Sequence, residues 1–120
     1  MNTESINISI FDNDHQSSGY IKKLFKQNGI NTSIHKTFTS FRKEIEKQMP
    51  DVMVIDYESI RPFINEVPSE WSDTIDAQKT KVFIALNETD KNKTPNFNTV
   101  HEIYFITKPY NEKHFLDVIV

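Results

Sequence analysis

Apolar residues follow two rhythms along this chain. Short continuous runs at Ile6 to Phe11, Asp51 to Asp56, Lys81 to Leu86 and Ile103 to Ile106, rich in Ile, Val and Phe, each predict a strand. Val52-Met53-Val54-Ile55 and Val82-Phe83-Ile84-Ala85-Leu86 show no alternation of polar and apolar positions. Both faces of those strands must therefore be covered, as in the centre of a parallel sheet. A fifth stretch, Asn31 to Lys36, is mostly polar and fits an edge strand.

Between the strands the rhythm becomes helical. Ser17, Ile21, Leu24 and Phe25 share one face of a helix that Asp14 can cap at its start and Gly29 can end. Phe38, Phe41, Ile45 and Met49 recur at three and four residues, and Pro50 stops that helix just before the next strand. Near the end, Asn111 can cap a helix whose Phe115 staples back onto Tyr110.

Two connections break the pattern. The stretch from Tyr57 to Thr80 holds Pro62 and Pro68, which must fragment it. From Asn87 to Thr99 the chain carries Pro95, four Asn and three Thr, so a short or irregular element is expected there. Strands alternating with helices imply right-handed crossovers and an α/β fold with a doubly wound parallel sheet.

Composition changes the picture mainly by exclusion. A chain of 120 residues has room for one domain, over residues 1–120; a fold of that size buries roughly two-thirds of its unfolded surface. Having no Cys, it has no disulfide, thiolate metal site or Cys nucleophile, and it suits a reducing cytoplasm. No run approaches the roughly 18 apolar residues of a membrane span. The net charge of −3, from 14 basic and 17 acidic residues without a basic stripe, gives little reason for direct nucleic-acid binding. The short final segment Val118-Ile119-Val120 reads as a piece cut from a longer protein.

In an open parallel sheet the ligand site lies at the carboxyl ends of the strands, where strand order reverses. The first strand runs into Asp12-Asn13-Asp14, the third ends in Asp56, and the last leads into Lys108-Pro109. Carboxylates with a lysine are the composition of a small Mg²⁺ and phosphoryl site, since hard oxygens hold the metal and an ammonium neutralises phosphoryl oxygens. Asp14 reads better as a helix cap, and His15 as a first-turn helix residue. Asp12 and Asp56 read otherwise, because two carboxylates on adjacent strand ends repel unless a cation lies between them. Lys108 alone would pass for a surface lysine; its spacing from the acids singles it out.

These residues together resemble the receiver domains of two-component response regulators over the whole chain. The family pattern is an acidic pair after the first strand, a phosphorylated Asp after the third, a Thr or Ser ending the fourth, and an aromatic three residues before a Lys-Pro. Asp12-Asn13, Asp56, Leu86, Phe105 and Lys108-Pro109 occupy those places. The resemblance implies a CheY-like, flavodoxin-like three-layer sandwich with strand order 2-1-3-4-5. It also implies a non-enzymatic switch in which Asp56 accepts a phosphoryl group from a histidine kinase or phosphotransfer protein and alters an output domain or homodimer partner. Asp12, Asn13, Asp56 and Glu58 would serve Mg²⁺, Lys108 would contact the phosphoryl group, and Leu86 and Phe105 would be the switch positions.

Three departures qualify that expectation. Asn13 replaces the second acid and removes a charge, so weak Mg²⁺ binding is expected. Leu86 lacks the hydroxyl that would follow the phosphoryl group. His101 and Glu102 replace a small pair before the last strand, and Tyr57-Glu58-Ser59-Ile60 replaces the family's usual loop. Glu58 fits a metal-site residue and an exposed loop residue equally well, and Phe105 fits a core aromatic equally well. The alternative function is therefore a degenerate receiver that docks or dimerises independently of phosphorylation. A phosphotransferase reading of Asp12-Asn13-Asp14 is weaker, since Gln16 stands where that motif needs Thr or Val.

Overall fold

A computed structural model of the chain describes residues 6–88, 103–111, 113 and 115. Strand β1 (Asn7–Phe11) leads into helix α1 (His15–Gln27), then β2 (Asn31–His35), α2 (Phe38–Lys47) and β3 (Val52–Asp56). A short helix α3 (Tyr57–Ile60), a 3-10 segment (Arg61–Glu66) and α4 (Glu70–Gln78) follow, and then β4 (Lys81–Leu86) and β5 (Ile103–Thr107). The five strands form one sheet in the order β2-β1-β3-β4-β5, and every pairing is parallel. This is the expected doubly wound topology, with strand boundaries differing by one residue at Ile6, Lys36, Asp51 and Thr107.

The missing alternation in the central strands has a direct cause. Val52, Val54, Phe83 and Ala85 belong to one buried cluster, and Met53, Ile55, Val82, Ile84 and Leu86 to a second. Successive side chains point to opposite faces of a strand, so the two clusters lie on opposite faces of the sheet and each is roofed by helices. On one side α1 contributes Ile21, Leu24 and Phe25, with Phe115 packed edge-on against Phe25 at 5.3 Å between ring centres. On the other, Phe11 stacks on Phe41 of α2 at 5.4 Å, and Trp71 of α4 closes the cluster. Each fully buried Ile, Leu or Phe contributes roughly 1.5–3 kcal/mol relative to exposure. The polar strand β2 lies at one edge, only partly buried, as its composition requires.

The local start signals hold, and α1 ends as expected, whereas α2 ends at Lys47, short of Pro50, so that Met49 joins the second cluster from beyond the helix. The Asp14 side chain accepts the Ser17 N–H and caps α1; Gly29 follows the helix at φ +71°, a left-handed conformation that costs Gly little. Thr37 caps α2 by accepting the Ser40 N–H. Between Tyr57 and Thr80 the connection is broken into three pieces, with Pro62 in the 3-10 segment and Pro68 just before α4. Tyr110 and Phe115 do meet, at 5.9 Å between ring centres. The expected helix after Asn111 and the irregular stretch after Asn87 fall mostly outside the described residues, as do His101 and Glu102.

Candidate functional site

Strand order reverses between β1 and β3: the chain leaves β1 for β2 on one side and crosses back to β3 on the other. Ligand sites of doubly wound sheets form at such a point, outside the carboxyl ends of the strands. Asp12 follows β1 and Asp56 ends β3, so parallel pairing of these two strands brings the carboxylates together. They are buried, Asp12 to 0% exposure and Asp56 to 3%.

The cation that such a pair requires is Lys108. Its Nζ lies 3.1 Å from Asp12 Oδ2 and 3.1 Å from Asp56 Oδ1, with only 11% of the side chain exposed. The backbone aims it, since the Lys108 N–H donates to the Leu86 carbonyl at 2.8 Å and extends the β4–β5 ladder by one bond. Leu86 therefore helps place the lysine through its main chain, while its side chain is buried in the second core cluster.

Every carboxylate oxygen at the site has a donor. Asp12 Oδ1 accepts the Asp14 N–H at 2.9 Å, and Oδ2 accepts the Tyr110 hydroxyl at 2.9 Å besides Lys108. Asp56 Oδ2 accepts the Ser59 hydroxyl at 2.7 Å and the Ser59 N–H at 3.1 Å. The Ser59 oxygen in turn accepts the Asn13 N–H at 3.0 Å, tying the loop after β1 to the turn after β3. Two carboxylates against one ammonium leave the cluster with one uncompensated negative charge.

The electrostatics follow from burial and this pairing. Burial raises the Asp12 carboxyl above its ordinary 3.8, the nearby Asp56 charge pushes the same way, and the bonds from Asp14, Lys108 and Tyr110 only partly oppose them. Burial alone would lower the Lys108 ammonium, yet Asp12 and Asp56 together outweigh it and hold the group above 10.5. Burial, followed by the Asp12 charge, raises the Tyr110 hydroxyl far beyond its usual range, so it stays protonated and donates. Exposed Asp14 moves down instead, because the Ser17 hydroxyl and N–H both favour its anion.

Asp12, Asp56 and Lys108 thus meet as their positions in the sequence imply. Asn13 reaches the site through its backbone N–H, while the residue is exposed. Glu58 lies 3.7 Å from Arg61 on the same short helical stretch. Among the described residues no three His, Cys, Asp or Glu side chains converge on one metal position. Asp12 and Asp56 offer hard oxygen donors of the kind Mg²⁺ takes, and to that extent they fit it. Phe105 is 44% exposed on β5, not a core aromatic, whereas its neighbour Tyr104 stacks on Phe83 at 5.0 Å. His15 begins α1 and hydrogen-bonds Lys36.

Sequence reasoning missed two participants, Ser59 and the Tyr110 hydroxyl. A signal for Ser59 exists in the Asp-x-x-Ser spacing from Asp56, which is that of a capping residue and its partner. Tyr110 was legible only as a core ring, since nothing in the sequence tells where a buried hydroxyl finds its acceptor.

The fold and site define a class: a doubly wound α/β domain with an acid pair and a lysine at its switch point. Known structures put a name to that fold. A response regulator receiver domain protein from Clostridium thermocellum is 17% identical and superposes with a TM-score of 0.67 over 95% of this chain and 90% of its own. One from Bacillus halodurans is 12% identical, with a TM-score of 0.62 over 95% and 93%. The PhyR stress response regulator, 15% identical with a TM-score of 0.65, matches 93% of this chain within 43% of its own length. The chain has the fold of response regulator receiver domains. No family model matches the sequence, and a search of curated proteins finds no match.

Proposed function

We propose that this chain is a phosphoryl-accepting receiver of a two-component phosphorelay, with Asp56 as the acceptor. The observation that carries the reading is Lys108 Nζ at 3.1 Å from both Asp12 Oδ2 and Asp56 Oδ1, at the switch point of the sheet. An ammonium there is already shared between two carboxylates, and it can turn to the oxygens of an incoming phosphoryl group. In the transfer, Asp56 Oδ1 forms a bond to phosphorus while the bond from phosphorus to the donor's nitrogen or oxygen breaks, and its electron pair leaves with the donor. Asp12 and Asp56 would hold Mg²⁺, which when bound screens the charge gathered on the phosphoryl oxygens.

On this reading the chain is an acceptor and switch, not an enzyme acting on a separate substrate. Its partners are a cytoplasmic histidine kinase or phosphotransfer protein and an output domain or second copy. Among the described residues no helix is long and apolar enough to cross a membrane, which agrees with such a role.

One observation favours a second reading, in which the domain docks its partner without phosphorylation. Leu86 is a buried core residue and Phe105 is already exposed, so these two positions lack the hydroxyl that would follow a phosphoryl group and an inward-facing aromatic. Intact-mass spectrometry after incubation with acetyl phosphate and Mg²⁺ separates the two. A single phosphoryl adduct on the wild type that disappears in Asp56→Ala supports the acceptor. No adduct, together with no binding of beryllofluoride, transfers the proposal to the docking module.

A further inference from the structure

The two oxygens of Asp56 have different surroundings. Oδ1 faces Lys108 at 3.1 Å, on the side where a phosphoryl group would be held. Oδ2 points the other way, into the turn that starts α3, and takes two bonds from Ser59. The Ser59 N–H bond, at 3.1 Å, is the ordinary cap of that helix and would persist with any residue but proline at the position. The hydroxyl bond, at 2.7 Å, is not needed for the cap. A serine hydroxyl has one proton to give; since the Ser59 oxygen accepts the Asn13 N–H at 3.0 Å, its proton is left for Asp56. Ser59 is itself buried to 2% exposure, so water does not readily replace it.

We propose that the Ser59 hydroxyl shortens the lifetime of a phosphoryl group on Asp56, acting as a positioning residue through the oxygen that the phosphoryl group does not occupy. The inference rests on the reading of Asp56 as acceptor. In the acyl phosphate, Oδ1 is bonded to phosphorus and Oδ2 is a neutral carbonyl oxygen. Hydrolysis bonds a water oxygen to phosphorus and breaks the bond from phosphorus to Oδ1; the electron pair returns to the carboxylate, and a water proton passes to solvent or to the released phosphate. The returning charge is shared with Oδ2. A hydrogen bond to an ionised oxygen is roughly twice as strong as one to a neutral oxygen. Ser59 therefore binds the departing carboxylate better than the acyl phosphate, and that difference accelerates hydrolysis.

The test phosphorylates the full chain with acetyl phosphate and Mg²⁺, removes the donor, and follows the decay of the adduct by intact mass. Ser59→Ala is expected to lengthen the half-life on the order of tenfold. Ser59→Thr, which keeps the hydroxyl, should stay near the wild-type half-life; Ser59→Cys, which keeps the volume with a weak donor, should behave like Ser59→Ala if the alanine variant fails to fold. A role confined to holding the loops together would lower the melting temperature and leave the half-life unchanged. Unchanged decay in both donor-deficient variants overturns this inference alone. No adduct on the wild-type chain removes the inference together with the reading beneath it.

Discussion

The hydroxyl of Tyr110 donates to Oδ2 of Asp12 at 2.9 Å, joining residues 98 positions apart inside the core. The same ring lies 5.4 Å from Lys108 Nζ and packs against Phe115. One side chain thus belongs to the apolar core and to the charged site at once. Removing the hydroxyl alone leaves Asp12 Oδ2 with Lys108 as its remaining donor. Tyr110→Phe is expected to cost about 1.5–3 kcal/mol, the range for a hydrogen bond to a charged acceptor. Urea unfolding at neutral pH measures it.

Asp12 and Asp14 should titrate in opposite directions from the ordinary 3.8, Asp12 above and Asp14 below. The signs for stability differ accordingly. Where the folded value is raised, the folded state binds more protons than the unfolded chain, so Asp12 costs stability as pH rises from 3.8 through its folded value. Where it is lowered, stability present above 3.8 is lost as pH falls through the folded value, a small effect for exposed Asp14. Carboxyl carbon chemical shifts followed against pH check both directions.

Lys108→Met should be the most damaging conservative change at the site. It leaves two buried carboxylates without their cation, and breaking a buried pair in this way costs about 3–5 kcal/mol. Asp12, already raised by burial, would then be harder still to ionise, so the variant should regain stability as pH is lowered toward the ordinary carboxylate range. In the wild type the lysine's contribution is complete below 10.5 and is lost as pH rises through its higher folded value. Denaturant melts at acid, neutral and alkaline pH would show the variant's deficit shrinking at both ends.

Phe105 and Phe83 are both aromatic strand residues, yet only one is buried. At 44% exposure Phe105 should tolerate replacement by Ala at a cost below about 1 kcal/mol. Phe83, at 0% exposure between Tyr104 and Phe115, should cost about 3–5 kcal/mol. Equal costs in thermal or denaturant melts would contradict the outward placement of Phe105.

Asn13 follows Asp12 directly and offers an amide oxygen but no charge. Asn13→Asp is expected to tighten Mg²⁺ binding severalfold, because a further anionic oxygen beside Asp12 and Asp56 raises the attraction for a hard cation. Glu58→Gln should leave the affinity nearly unchanged, since Glu58 lies toward Arg61 and outside any three-acid cluster among the described residues. Isothermal titration calorimetry of the two variants distinguishes them.

By itself the sequence determined the parts that depend on local chemistry. Continuous Val, Ile and Phe runs specify buried strands, the three-and-four spacing of Phe38, Phe41 and Ile45 specifies a helix face, and Asp14 and Gly29 mark the ends of a helix. Those elements, in alternation, leave few topologies open, and the positions of Asp12, Asp56 and Lys108 at strand ends follow from them. Only the tertiary structure decided which oxygens carry which bonds. Strand alternation puts Phe105 on the face opposite Ile106, the face on which Ile103 packs against the second cluster, yet at this edge strand Phe105 stays 44% exposed. Ser59 and Tyr110 became part of the site through contacts 46 and 98 residues apart in sequence. Burial made those contacts necessary: a carboxylate removed from water must find its donors wherever the packed chain supplies them.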